Sequence, residues 1–314
     1  MIALDVMGGD YAPEQIIIGA LNAAKKSIPL ILVGPQERVK ELLYRYDLDW
    51  QSYPITICDS ASVIAMDEDP VNAVRQKKDS SIVKIIELIK AGQANVAISA
   101  GNSGAVMVAA SLILGRIDKL DRPAIAGLLP TSSGKKVLAL DLGANTECRP
   151  NNLVQFAYLA DDYARNILDI PNPRIALLSN GQEDCKGSLV TKEAFLLLKN
   201  SELNFIGNIE PFDIFDYKTD IVVSDGFSGN IFLKTLEGAF ELLAKLVKKD
   251  AERKKVFDSK IWDFVYDTAK SVLYSGVAVL LGVKGNVIIC HGNSTAEVIE
   301  NTIENSVKFF NMKR

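Results

Sequence analysis

The strongest constraint on this chain is a rhythm: short apolar runs alternate with longer helix-period segments from one end to the other. Ile2–Val6, Leu30–Val33, Ile55–Cys58, Val96–Ser99, Ile125–Leu129, Val137–Leu140, Ile175–Leu178, Ile221–Val223 and Val287–Ile289 are too short for helices and too uniformly apolar for half-exposed strands. They read as strands buried on both faces. Between them, Pro13–Lys26, Gln36–Tyr46, Ser80–Ala91, Ser103–Leu114, Leu153–Ile167, Leu189–Lys199, Asn230–Lys249 and Thr295–Phe310 carry amphipathic helical periodicity. Strand followed by helix, repeated, predicts an α/β fold: a mostly parallel sheet with helices on both faces. The 314 residues suffice for a single α/β catalytic domain or for two interleaved lobes around a cleft, and no Pro-, Gly- or Ser-rich linker divides them.

Composition narrows the function classes. With 35 basic against 39 acidic side chains the formal charge is −4, so nothing draws the whole chain to nucleic acid. The four cysteines, Cys58, Cys148, Cys185 and Cys290, are scattered, and His291 is the one histidine. A disulfide framework and a His/Cys zinc site are both disfavoured, and reduced thiols suit a cytoplasmic address. Met1–Asp10 lacks the pattern of a secretory signal, and no run of ~18 apolar residues is present to cross a membrane.

The chemistry is expected in the turns. In open α/β sheets ligands gather at the carboxyl ends of strands, where helix N-termini offer unpaired N–H groups to anions. Five glycine-bearing turns fall there: Met7-Gly8-Gly9-Asp10, Ser99-Ala100-Gly101-Asn102-Ser103-Gly104, Asp141-Leu142-Gly143-Ala144-Asn145, Ser224-Asp225-Gly226-Phe227-Ser228-Gly229, and His291-Gly292-Asn293-Ser294. The second and fourth share the pattern Ser-x-Gly-x-Ser-Gly, which fits either a two-sided anion site or two independent helix caps. Candidate phosphate- or substrate-binding residues are therefore Gly8, Gly9, Asp10, Gly101, Asn102, Ser103, Gly104, Asn145, Gly226, Gly229, Gly292 and Ser294. The dinucleotide fingerprint, the Walker-type phosphate loop and the serine nucleophile elbow are all absent. Asp67-Glu68-Asp69, directly before Pro70, reads as a loop leading into the first turn of a helix. Lys186, in Gln182–Ser188 between a strand and a helix, reads either as a surface cation or as one aimed at a developing negative charge. A nucleophilic role for Cys185 beside it is the weaker reading.

Read together, these turns resemble the bacterial phosphate acyltransferases of the PlsX family. The resemblance rests on Leu4–Asp10 with Pro13; Pro70-Val71 with Arg75, Lys77, Lys78 and Asp79-Ser80-Ser81; Ser99–Ala105; Asp141-x-Gly143-Ala144-Asn145; Leu153–Ala157; Gly181 with Lys186-Gly187; Asp225-Gly226-Phe227-x-Gly229-Asn230; and His291-Gly292-x-Ser294. It implies transfer of a fatty acyl group from acyl-(acyl carrier protein) to inorganic phosphate, giving acyl phosphate for phospholipid synthesis. It also implies a fold similar to phosphotransacetylase and the isocitrate and isopropylmalate dehydrogenases, a homodimer, and no cofactor. A peripheral contact with the inner face of the cell membrane and a downstream membrane acyltransferase as partner go with it.

On that reading Lys186 and Asn230 are expected to stabilise the oxyanion and the departing thiolate. His291 either binds phosphate or protonates sulfur, or is structural. Two stretches depart from the family pattern: Ser179-Asn180-Gly181-Gln182 stands for Asn-Ile-Gly-Glu, and Gly276–Gly282 lacks one glycine and a proline. The basic and aromatic segment at about 242–274, with Phe257, Ile261, Trp262 and Phe264, suits a membrane surface, the carrier protein, a dimer interface or a core helix with a solvated basic face. Rival functions are a short-chain phosphotransacylase using acyl-CoA and a non-catalytic regulator that binds acylated carrier protein; a dehydrogenase is more distant.

Overall fold

The computed structural model describes residues 1–254 and 277–311. The chain divides into two compact units, residues 1–123 with 277–314 and residues 124–276.

The first unit holds strands β1 (Ile2–Asp5), β2 (Leu30–Gly34), β3 (Ile55–Asp59), β4 (Val96–Ser99), β10 (Val277–Leu281) and β11 (Asn286–Cys290). They lie side by side in the order β3-β2-β1-β4-β11-β10, parallel except for β10, which runs antiparallel to β11. All four residues of β1 and all five of β2 are buried, which is why their sequences show no alternation. The helices are α1 (Glu14–Lys25), α2 (Gln36–Tyr46), α3 (Pro70–Gln76), α4 (Ser81–Lys90), α5 (Ser103–Ile113) and, returning at the end of the chain, α10 (Ala296–Asn311). They form two groups, α1 with α2 and α10, and α5 with α3 and α4. Gly19 is required where α1 meets α10: a Cβ there would stand 2.6 Å from the Ala296 carbonyl oxygen. Asp69 caps α3 by accepting the Asn72 N–H at 2.9 Å, and Glu68 pairs with Lys77, so the acidic triplet is a helix start as read from the sequence.

The second unit orders its strands β5-β6-β9-β7-β8: β5 (Ala124–Pro130), β6 (Lys136–Leu140), β9 (Ile221–Val223), β7 (Ile175–Leu178) and β8 (Phe205–Ile209). The β5–β6 hairpin is antiparallel and the rest are parallel. Helices α6 (Pro150–Asn166), α7 (Leu189–Lys199), the short α8 (Pro211–Ile214) and the long α9 (Gly226–Lys254) complete it. The expected α/β architecture with mostly parallel strands is thus observed. β8 and β10 were not anticipated. Each is an end strand of its unit's sheet, with fewer buried positions than β1 or β2. No described helix is long and apolar enough to cross a membrane.

Candidate active site

Each unit repeats one device at its strand ends. A strand ends on, or runs directly into, a buried aspartate; a glycine turn follows; and that turn packs against the Ser-x-Gly-x-Ser-Gly turn of the adjacent parallel strand.

In the first unit the aspartate is Asp5. Its carboxylate accepts the Met7 N–H at 3.1 Å and the Ser99 hydroxyl at 2.7 Å, and Ser99 Oγ in turn accepts the Gly101 N–H at 3.0 Å. Burial pushes the Asp5 carboxyl up, against the opposing pull of those hydrogen bonds. A Cβ on Gly8 would lie 2.5 Å from the Asp5 carboxylate and 2.6 Å from the Gly101 nitrogen, so the two turns touch backbone to backbone. Gly9 has φ of +111° and lies against the Gly292 carbonyl, which accepts the Asp10 N–H at 2.7 Å. This brings the first, second and fifth turns together.

Several candidates there already have their polar atoms engaged. Asn102 caps α5 through the Ala105 N–H at 3.0 Å and donates to the carbonyls of Ala65, Met66 and Glu68. A Cβ on Gly104 would meet the Pro70 ring at 2.6 Å. The buried Ser294 hydroxyl donates to the His291 carbonyl at 2.6 Å, and the Asn293 N–H approaches His291 Nδ1 at 3.4 Å. Asp10 and Ser103 face solvent.

In the second unit the aspartate is Asp141, fully buried after β6. One carboxylate oxygen accepts the N–H groups of Ile125, Gly143 and Ala144; the other accepts the backbone and side-chain N–H of Asn145 at 2.7 and 2.8 Å. Burial again moves its carboxyl up, and the hydrogen bonds oppose the shift without cancelling it. Gly226 donates to the Asn145 carbonyl at 2.8 Å, and Cβ atoms on Gly226 and Gly229 would fall 2.7 Å from the Asn145 nitrogen and 2.0 Å from the Asp141 carbonyl oxygen. At both positions glycine is needed for the contact between turns. Asn230 follows at once, exposed and packed on Gly143, where a Cβ would stand 3.4 Å from its side-chain amide carbon.

The helix start at α9 is capped from within: Asp225 accepts the Ser228 N–H at 2.8 Å and its hydroxyl at 2.9 Å. The N-terminus of that helix is therefore already capped by a carboxylate from the residue just before it. Neither Asp5 nor Asp141 stood among the sequence-derived candidates; the available signal was a carboxylate closing an uninterrupted apolar run.

Lys186 is exposed, and its stem covers Gly181, where a Cβ would stand 2.8 Å from Lys186 Cγ. Gly187, at φ +101°, donates to Asn180 Oδ1 at 2.9 Å, and Ser188 caps α7. An open groove of about 840 Å³ runs between this loop and α9. Gly187 and Ser188, which follow Lys186 in the chain, line it on one side, and α9 residues between Phe227 and Ala239 line it on the other. Neither Lys186 nor Asn230 is itself a lining residue, and helical spacing puts Asn230, packed on Gly143, on the face of α9 away from the lining stripe. His291 belongs to the first unit. Among the described residues no His, Cys, Asp and Glu cluster is arranged to hold a metal ion. Phe257, Ile261, Trp262 and Phe264 lie outside the described residues.

Comparison with known proteins adds a family. The model of the fatty acid synthesis protein family matches residues 1–313. A phosphate acyltransferase of Campylobacter fetus subsp. fetus is 43% identical over 320 residues, covering 98% of this chain and 94% of that protein. One from Pelotomaculum thermopropionicum is 45% identical over 310 residues, covering 96% and 89%. Among solved structures, a phosphotransacetylase from Streptococcus pyogenes superposes with a TM-score of 0.63 at 19% identity, covering 99% of this chain and 94% of that one, a likeness of fold.

Proposed function

We infer that this chain, which belongs to the fatty acid synthesis protein family, is an acyltransferase enzyme that moves a fatty acyl group from a thioester donor to inorganic phosphate. The observation that carries this reading is 43% identity to a phosphate acyltransferase along 98% of the chain. The donor we assign is acyl-(acyl carrier protein), and the product, acyl phosphate, feeds phospholipid synthesis.

The reaction requires no covalent enzyme intermediate. A phosphate oxygen attacks the thioester carbon, the carbonyl electrons move onto oxygen, and their return expels the carrier thiolate. Such a thiolate leaves readily, its conjugate acid having a pKa of ~8.5. Catalysis then consists of holding phosphate against the carbon and stabilising the oxyanion. In our assignment the Lys186 ammonium and the Asn230 amide stabilise the oxyanion and the leaving sulfur. Exposure of both side chains supports the assignment. His291 holds phosphate, protonates sulfur or has a structural role at the end of the last strand.

The same reading includes a homodimer, a peripheral contact with the inner face of the cell membrane through Phe257, Ile261, Trp262 and Phe264, and hand-over of acyl phosphate to a membrane acyltransferase. Thiol release from palmitoyl-carrier protein, with and without phosphate, tests the function; palmitoyl-CoA in its place tests the donor. Lys186→Ala and Asn230→Ala should each keep the fold and lower turnover by roughly a hundredfold or more. Near-wild-type turnover in both at saturating donor removes these residues from the mechanism.

A further inference from the structure

We propose that the groove beside α9 is the binding site for the fatty-acyl tail of donor and product, with the reacting carbonyl held at its Lys186 end. The proposal rests on the acyltransferase reading and adds to it where the apolar part of the substrate lies.

Three observations converge. First, the lining carries no charged side chain, in a protein with 24% charged residues. Its body is Phe215, Phe227, Ile231, Phe232 and Leu236. A groove without charge fits a neutral hydrocarbon and offers no ion pair to an acidic protein surface or a nucleotide.

Second, the shape is linear. The α9 residues on the groove, 227, 228, 231, 232, 235, 236 and 239, recur at helical spacing and form one stripe. From Phe227 to Ala239 the helix rises ~18 Å, the length of a long acyl chain rather than of an acetyl group. Phe227 and Ile231 stand 57% and 51% exposed. Apolar side chains aligned in one groove and left in water mark a surface meant to be covered.

Third, the groove has polar lining residues next to Lys186. Asn180, Gly187 and Ser188 line it beside that residue. A cation next to one part of an otherwise uncharged groove matches an amphiphile whose acyl phosphate head, or the oxyanion formed from its thioester, carries negative charge and whose tail carries none.

The test is the chain-length dependence of phosphate-driven thiol release, from butyryl- to palmitoyl-carrier protein. In the wild type kcat/KM should rise up to about fourfold for each methylene that enters the groove. Ala239→Trp places an indole on an exposed position at the α9 end of the stripe. It should lower the palmitoyl-to-butyryl ratio of kcat/KM about tenfold or more, the loss of two methylenes or more. Ile231→Asp introduces a charge into the stripe and should raise KM for palmitoyl donor far more than for butyryl donor. Because each ratio is internal to one protein, a partly unfolded preparation does not change it.

Calorimetric titration of the full-length proteins with palmitate supplies a readout independent of turnover: the wild type should bind and Ile231→Asp should not. If the wild type binds palmitate but releases no thiol, the acyltransferase reading fails and the groove stands. Unchanged ratios and unchanged palmitate binding in both variants overturn the proposal. If they come with an altered oligomeric state, a second copy of the chain covers the groove instead.

Discussion

Alanine at Gly229 and at Gly238 should act in opposite directions, although both residues lie on α9. At Gly238 a Cβ meets nothing within 4 Å. Removing glycine's extra backbone entropy inside a helix should then stabilise the protein by ~0.8–1.0 kcal/mol. At about 2–4 °C per kcal/mol for a unit of this size, the midpoint should rise by a few degrees.

At Gly229 the same methyl would stand 2.0 Å from the Asp141 carbonyl oxygen and 2.5 Å from Ser224 Oγ. An ordinary contact is ~3.5 Å, so about 1.5 Å must be found by moving α9 or the 141–145 turn. Overpacking of this kind costs roughly 1–3 kcal/mol or more, offset in part by the helix-propensity gain. The residue carried along by that movement is Asn230, packed on Gly143. A misplacement of about 1 Å at a catalytic group can lower turnover ~100-fold. Urea denaturation and thiol-release kinetics on the two variants check both halves of the expectation. Wild-type stability and turnover in Gly229→Ala would refute the packing argument, and an equal loss of turnover in Gly238→Ala would show that the effect is not local to the turns.

The Asp220 carboxyl is pushed up by burial but brought below its usual value, chiefly by hydrogen bonds from Arg174, which meet it at 2.9 and 3.1 Å. A carboxyl depressed in the folded state adds stability above the unfolded-state pKa of ~3.9, and that stability is lost as pH falls through the folded value. Arg174→Ala should therefore cost about 2–3 kcal/mol at neutral pH, discounted for the partly exposed guanidinium, and should flatten the acid limb of a stability–pH curve. Cys290 is buried with its thiol pushed up to about 12, whereas Cys185 is exposed. Iodoacetamide should label Cys185 and spare Cys290 in the native protein, read by mass spectrometry, and Cys185→Ser should keep near-wild-type turnover. Trp262→Glu should weaken liposome flotation if the segment around it contacts membrane; unchanged flotation with unchanged oligomeric state removes that contact.

The buried strands were legible because burial on both faces leaves no polar position to disguise them, as in Leu30–Gly34. β8 was not, because Phe205-Ile206-Gly207-Asn208-Ile209 is broken by Gly207 at φ +106° and by a register shift against β7. β10 was read as a departure from a glycine-rich family stretch rather than as a strand. α3 and α8, of seven and four residues, are too short to show a helical period. In the turns the sequence located the glycines but not what each one faces. Whether Gly229 makes room for a ligand or for the Asp141 carbonyl depends on a neighbour 88 positions away in the chain (229 − 141). The groove was equally hidden, because its walls come from four stretches: the end of β7, the loop into α7, the segment around α8, and α9.

The interrupted first unit has a consequence for synthesis on the ribosome. Its opening segment, residues 1–123, leaves the ribosome before β10, β11 and α10 exist. Until they arrive, β4 has an unpaired edge where β11 belongs, and the α1 surface around Gly19 lacks the helix that covers it. The contiguous second unit, residues 124–276, has all its strands while the first is still incomplete. The unit begun first is thus the one finished last, and a stop codon shortly before Val277 would leave an open strand edge of the kind that favours aggregation.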